Sequence, residues 1–215
     1  MKALCYDTET QGLPLFNEPS EDPRQPHIVE IAALLFDDAG QKIDSFHTIV
    51  RPDGWTIPDE VAAIHGITTE RAMDEGIPEH QALAGFLAMH ARADIRVAHN
   101  ESFDARILRI AIKRFGYGAS GLEQLTQDHR DLIADQFKAR PAYCTCTAAK
   151  PIMKLPPTEK MMASPRFRNS FKQPNLQEAH KYFMGMAFDG AHGALADAHA
   201  CARVYFAMNP VEAVA

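Results

Sequence analysis

Asp7 and Glu9 stand two residues apart in the stretch Tyr6-Asp7-Thr8-Glu9-Thr10. In an extended backbone alternate side chains share a face, so this spacing aims both carboxylates the same way. Paired carboxylate oxygens make a cradle for a hard divalent cation such as Mg²⁺ or Mn²⁺. Taken alone, the pair is a weak signal, and a solvated strand end running into the loop at Gly12 is the commoner meaning of such a spacing. Two further carboxylates lie in apolar surroundings. Asp104 follows Phe103 at the start of a helical pattern in which Phe103, Ile107 and Ala111 form a stripe with Ile110 beside it; an acidic residue there also suits the helix dipole. Asp197 falls on one helical face with Ala194, Ala198 and Cys201, a stripe of small residues suited to close packing. A buried carboxylate without a partner is costly, and coordination to a cation is one of the few ways to keep it ionised. His192 precedes that helix, within reach of whatever Asp197 holds, and imidazole is the side chain that exchanges protons near neutral pH. His199, two residues past Asp197, points off the small-residue face and reads as a solvated surface group.

The elements that must position these residues follow from periodicity and punctuation. Residues 2–6 alternate small and large apolar side chains, Ile28 to Phe36 is an apolar run with β-branched members, and a third strand spans Lys42 to Val50. Asp37, Asp38 and Gly40 mark an antiparallel hairpin between the second and third. A short helix over Asp59 to His65 stops at Gly66, and a longer one covers Glu79 to Ala91. Arg96 to Ala98 is a brief buried strand. Helices follow over Ser102 to Phe115, ended by Gly116 and Gly118, and over Leu176 to Phe183 and Ala194 to Met208. Tyr143 to Thr147 reads as a last strand, with Cys144 and Cys146 sharing a buried face. Trp55, beside Pro52 and Pro58, reads as a packed loop anchor. A meander followed by alternating helices and strands predicts one α/β domain with a mixed sheet.

At 215 residues the chain suffices for one substantial core. No apolar run approaches the length needed to cross a bilayer, and Asp7 comes too early for a secretory signal, which argues against a membrane or secreted protein. Four cysteines without CxxC pairing suit a reduced compartment, so the cytoplasm is expected. The net charge of −6 by itself disfavours a polyanion partner, but it is segregated. Residues 150–174 carry six basic side chains against one acidic, leaving −11 on the rest. Prolines at 151, 156, 157, 165 and 174 make a long regular element improbable there and predict a mobile loop. Its stretch Arg166-Phe167-Arg168-Asn169-Ser170-Phe171-Lys172 interleaves cations with rings, a pattern that offers phosphate contacts and stacking faces to a flexible single strand. The plainer alternative is solvated charge over two rings tucked into the core.

Taken together, Asp7-Thr8-Glu9-Thr10, His99-Asn100-x-x-Phe103-Asp104 and His192-x-Ala194-x-x-Asp197-Ala198 resemble the three successive motifs of the DnaQ-like DEDD exonuclease superfamily, histidine subtype. The resemblance spans nearly the whole chain in the family's order. It implies a ribonuclease H-like fold and a 3′-to-5′ exonuclease, with Asp7, Glu9, Asp104 and Asp197 binding two divalent cations, Mg²⁺ or Mn²⁺, that flank the scissile phosphate. His192 would take the proton of the attacking water. It further implies that Ile64-His65-Gly66-Ile67-Thr68 cradles the terminal nucleotide, that Thr8, Thr10 and Phe103 lie on the substrate side, and that His99 and Asn100 either face the substrate or support the groups that do. Arg166, Arg168 and Lys172 join that set from their own pattern. Gln11 and Gly193 depart from the residues commoner at those positions, without touching a metal ligand. The expected partner is single-stranded nucleic acid, DNA ahead of RNA. An exoribonuclease and a polymerase-associated proofreading or binding module are the alternatives, with a polymerase or homodimer partner left open.

Overall fold

The computed structural model describes residues 1–115 and 125–210. Three strands open the chain, β1 (Ala3–Thr10), β2 (Ile28–Phe36) and β3 (Lys42–Arg51), paired antiparallel in sequence order. Asp37 closes the second hairpin: its carboxylate accepts the N–H groups of Ala39 and Gln41. Then come α1 (Asp59–His65), α2 (Thr69–Glu75), the two-residue β4 (Ile77–Pro78), α3 (Glu79–Ala91), β5 (Ile95–Ala98) and α4 (Glu101–Phe115). The remainder comprises α5 (Gln127–Ala139), β6 (Ala142–Cys144), α6 (Thr145–Met153), α7 (Glu159–Met162), α8 (Leu176–Met184) and α9 (Ala194–Met208). The sheet order is β4-β3-β2-β1-β5-β6, with β5 parallel to β1 and β6 parallel to β5. This is the expected mixed sheet, in the ribonuclease H-like arrangement.

Strand alternation sorts β1 between two cores. Leu4 and Tyr6 pack with Phe86 of α3, Leu108 of α4 and Phe137 of α5, while Ala3 and Cys5 face Ala194, Ala198 and Cys201 of α9. By the same alternation Asp7 and Glu9 continue the α9 face and Thr8 the α4 face. The small side chains on α9 let its axis lie close to the sheet. β2 is buried along its whole length because helices cover both of its faces, which explains its continuous apolar run. Gly66 ends α1 in the left-handed conformation (φ 75°), which carries no Cβ penalty in glycine.

Three sequence expectations need correction or limits. The strand expected over Tyr143 to Thr147 is only Ala142–Cys144, and the chain then turns into α6, with the Cys144 sulfur capping the Thr147 N–H at 3.4 Å. Five apolar residues are too few for periodicity to separate strand from helix. Cys144 and Cys146 therefore share no strand face; Cys146 is buried in α6 and bonds the Pro174 carbonyl at 3.3 Å. The helix end expected at Gly116 and Gly118 lies outside the described residues. Elements α2, β4, α5 and α7 were not anticipated. α2 is capped by the Thr68 hydroxyl, a local signal its short length made easy to miss.

Candidate active site

Parallel pairing between β1 and β5 covers only Ala3–Cys5 against Ile95–Val97. Beyond Cys5 the backbone donors on that edge of β1 need other partners. Asp104, in the first turn of α4, supplies one: its Oδ1 accepts the Thr8 N–H at 3.0 Å and the Thr8 hydroxyl at 2.8 Å. The carboxylate is thereby fixed to the strand that carries Asp7 and Glu9. On the opposite face α9 brings in Asp197. Oxygens of Asp7, Glu9 and Asp197 all lie within 4.8 Å of one another.

Asp197 Oδ2 accepts the His192 backbone N–H at 3.3 Å. Its Oδ1 is buried and makes no hydrogen bond among the described residues. A buried carboxylate oxygen without a donor, placed among carboxylates, fits a hard cation and fits little else. Among the described residues, two of the three non-glycine residues with left-handed backbone, Asn100 (φ 67°) and His192 (φ 66°), sit just before the two helices that carry Asp104 and Asp197. Such strain concentrates where a side chain must be aimed. The His192 residue itself is exposed at the rim.

Burial is the largest influence on all four carboxyl groups, and it raises them. Asp7 stands well above the usual carboxylate range, with further repulsion from Asp104, Glu9, Asp197 and Glu30. Glu9 is pushed up to about 8 by burial and then by Asp197, Glu30 and Asp104. Asp104 rises to about 7 against the lowering effect of its Thr8 bonds, and Asp197 to about 6. The folded state thus holds these protons more tightly than the unfolded chain. The associated stability is complete below about pH 4 and is lost as pH rises through 6, 7 and 8. A bound cation removes the penalty by compensating the charge. We expect the increase in Tm on adding Mg²⁺ or Mn²⁺ to EDTA-treated protein to be larger at pH 8.5 than at pH 6, by about 5 °C, the equivalent of about 2 kcal/mol in a chain of this size. Thermal melts at the two pH values check this; an increment independent of pH would contradict it.

The other sequence candidates divide by what they touch. Thr8 and Thr10 are buried, and the Thr10 hydroxyl donates to the Gly12 carbonyl at 2.8 Å. Ile64 is 58% exposed, whereas His65 is buried and its Nδ1 accepts the Ile67 N–H at 3.2 Å, shaping the turn after α1. His99 uses both ring nitrogens within the protein, Nδ1 on the Thr145 hydroxyl (2.9 Å) and Nε2 on the Pro174 carbonyl (3.1 Å). Asn100 is exposed, and Phe103 is half-buried against the core. The departure at Gln11 has a structural use, since its side-chain amide donates to the Thr56 carbonyl at 2.9 Å. His199 is half-buried rather than solvated, in grooves lined with Phe36, Lys42 and Arg203. Trp55 stacks on His27 at 4.6 Å, as a loop anchor.

The basic segment starts inside α6, includes the single turn α7, and is otherwise a series of turns. The Lys172 N–H to Leu155 carbonyl bond (3.0 Å) draws its ends together, and Pro174 is tethered to His99 just ahead of α4. Phe167 and Phe171 are 45% and 43% exposed, so neither ring is tucked into the core. The Arg166 guanidinium lies 5.2 Å from the Phe167 ring centroid. Lys172 is instead paired with Glu178. Sequence reasoning overlooked Glu30, which adjoins the cluster: it pairs across the sheet with Glu9 and contributes to raising Asp7, Glu9 and Asp197. The signal was one acidic residue in the otherwise apolar strand Ile-Val-Glu-Ile-Ala-Ala-Leu-Leu-Phe.

Residues 4–205 match the RNase T exonuclease family, and the chain belongs to it, within the DEDD exonuclease superfamily. It is an exonuclease domain, and hence a phosphodiester hydrolase by class. Among curated proteins, PolC-type DNA polymerase III of Thermotoga petrophila is 38% identical over 116 residues, which is 52% of this chain and 7% of the polymerase. The Thermotoga maritima counterpart is 37% identical over the same length and the same shares. Among solved structures, E. coli exonuclease I in complex with a dT13 oligonucleotide superposes with a TM-score of 0.62 at 18% identity, over 94% of this chain and 39% of that one. The zinc-bound E. coli exonuclease I complex with single-stranded DNA gives 0.62 at 19% identity, over 97% and 41%. The chain thus spans well under half of these solved chains and a small fraction of the polymerases. Among the described residues no helix is long and apolar enough to cross a membrane.

Proposed function

We propose that this chain is a 3′-to-5′ exonuclease of the histidine subtype that releases nucleoside monophosphates from single-stranded DNA. The observation that carries the reading is the buried Oδ1 of Asp197, without a hydrogen bond among the described residues, on a carboxylate that converges with Asp7 and Glu9 to within 4.8 Å. Asp7, Glu9, Asp104 and Asp197 would hold two divalent cations, Mg²⁺ or Mn²⁺. When bound, these supply charge neutralisation at the scissile phosphate and acidify the attacking water. The protein's own groups do the rest. Asp104 keeps β1 and α4 in register through Thr8, the His192 imidazole at the rim accepts the water's proton, and Ile64 with the turn at His65 receives the terminal nucleotide. Thr10, Asn100 and Phe103 border that site, and His99 supports it by anchoring Pro174. One domain fills the chain, with the basic segment as its strand-holding appendage, and the setting is the cytoplasm.

Single-stranded DNA is favoured by the exposed Phe167 and Phe171 between cations and by the oligonucleotides bound to E. coli exonuclease I. Parallel digestion of matched DNA and RNA oligomers tests the choice: faster turnover of DNA is expected, and faster turnover of RNA would make the enzyme an exoribonuclease. The PolC-type relatives favour a second reading, a proofreading module working beside a polymerase.

Within this reading Arg166 and Arg168 carry the strand contacts, because the Lys172 charge is already engaged by Glu178. Replacing both arginines with alanine should raise KM for long single strands. It should also reduce the slope of log K against log salt by about 1.4, two phosphates at about 0.7 each for single strands. Dinucleotide turnover should change little, and Lys172→Ala should add little. Binding curves at several salt concentrations decide it; superimposable wild-type and variant slopes would reduce the segment to a surface feature.

A further inference from the structure

Glu30 is 7% exposed, in a strand that is buried on both faces. Such a carboxylate is costly to bury unless its oxygens find donors. Both do. Oε1 lies 2.6 Å from His47 Nε2 on neighbouring β3, and Oε2 accepts the Ala194 N–H at 2.8 Å. Ala194 is the first residue of α9, and the N-cap there, Gly193, has no side chain with which to satisfy the open helix donors. A residue 164 positions away does part of that work. Glu30 also lies directly across the sheet from Glu9, and Asp197 is one turn past Ala194 on the helix that Glu30 caps. With both oxygens turned to protein donors, Glu30 is a poor candidate for a further cation ligand, although it adjoins the cluster.

We propose that Glu30, steadied by His47, is a positioning residue that fixes the first turn of α9, and with it Asp197 and His192, against the strand bearing Glu9. The inference rests on the carboxylate-cluster reading of the site. Outer groups that orient metal ligands are worth 10–100-fold in affinity or activity when removed. Glu30→Ala should therefore raise the Mn²⁺ dissociation constant, measured calorimetrically without nucleic acid, by roughly tenfold or more. It should lower kcat on a short single strand by a similar factor and leave KM within about twofold. Glu30→Gln, which keeps an acceptor for the Ala194 N–H, should recover most of both losses.

A second variant removes the donor instead of the acceptor. Ala194→Pro deletes that N–H at the first helical position, where proline is tolerated, and Gly193 already has the extended backbone preferred before proline (φ −123°, ψ 125°). It should weaken Mn²⁺ binding in the same direction, which keeps the proposal testable if Glu30→Ala does not fold. Unchanged Mn²⁺ affinity in the folded variants, with activity falling only as Tm falls, would overturn the proposal and leave Glu30 a structural cap. A wild-type protein that binds Mn²⁺ but hydrolyses no nucleic acid would overturn the exonuclease reading instead, while the Mn²⁺ constants would still decide the role of Glu30.

Discussion

Alanine at Asp7 or Asp197 should lower the single-turnover rate of nucleotide release by about 10³-fold or more, the equivalent of about 4 kcal/mol of transition-state stabilisation. Each substitution removes an oxygen from the place where, among the described residues, three acidic side chains converge within 4.8 Å. The fold should survive both. Asp197 Oδ1 has no hydrogen-bond partner to lose among the described residues, and Asp7 is held in a half-buried, repulsive setting that its removal relieves. Metal-free Asp7→Ala should melt at or above the wild-type temperature. Asp104→Ala should also be inactive but less stable, by about 1–3 kcal/mol, because it leaves the buried Thr8 N–H and hydroxyl without their acceptor. Paired rate and melting measurements separate these effects. An active Asp7→Ala enzyme, or an Asp104→Ala variant as stable as wild type, would contradict the assignment.

The second large effect belongs to His192. Replacing it by alanine should slow the chemical step by about 10²- to 10⁴-fold, the contribution of a positioned general base, with binding of the strand end little altered. The His192 contact to Asp197 comes from the backbone N–H, so a side-chain substitution retains it and isolates the ring's contribution. Because His192 has a left-handed backbone, His192→Asn is the better-tolerated companion and should be equally slow. His199→Ala should leave the rate within about twofold, since His199 lies in the grooves by Lys42 and Arg203 and forms no part of the Asp7, Glu9 and Asp197 cluster. Single-turnover rates for the three variants test the choice of histidine, and an exchange of outcomes would reverse it.

Much of this was legible because the relevant signals are periodic. The two-residue spacing of Asp7 and Glu9 and the small-residue stripe around Asp197 each survive as a face of a regular element, and the second and third strands fall within a residue of their expected limits, while β1 runs four residues past its expected end at Tyr6 and so carries both carboxylates. What escaped depends on contacts between residues distant in sequence. Glu30 looked like one polar residue in an apolar run, and its meaning comes from Ala194, which only tertiary packing brings beside it. For His99 the sequence left a substrate-facing and a supporting place open, and only the tertiary structure shows both nitrogens bonded to Thr145 and Pro174. Lys172 looked equivalent to Arg166 and Arg168 until Glu178 came within pairing distance. The stretch Tyr143 to Thr147 failed for a local reason, since a cysteine sulfur acting as helix cap is a weaker sequence signal than serine or aspartate.

On the proposed reading, four carboxylates on β1, α4 and α9 hold the cations with which the protein hydrolyses a nucleic-acid end. The most direct measurement follows a 5′-labelled single-stranded DNA incubated with purified protein and Mn²⁺, with and without EDTA, with released products identified by mass. The expected result is a ladder shortening one nucleotide at a time from the 3′ end, release of nucleoside 5′-monophosphates, and complete arrest by EDTA. Label released at once as a mononucleotide, internal cuts, or shortening that persists after metal removal would contradict it.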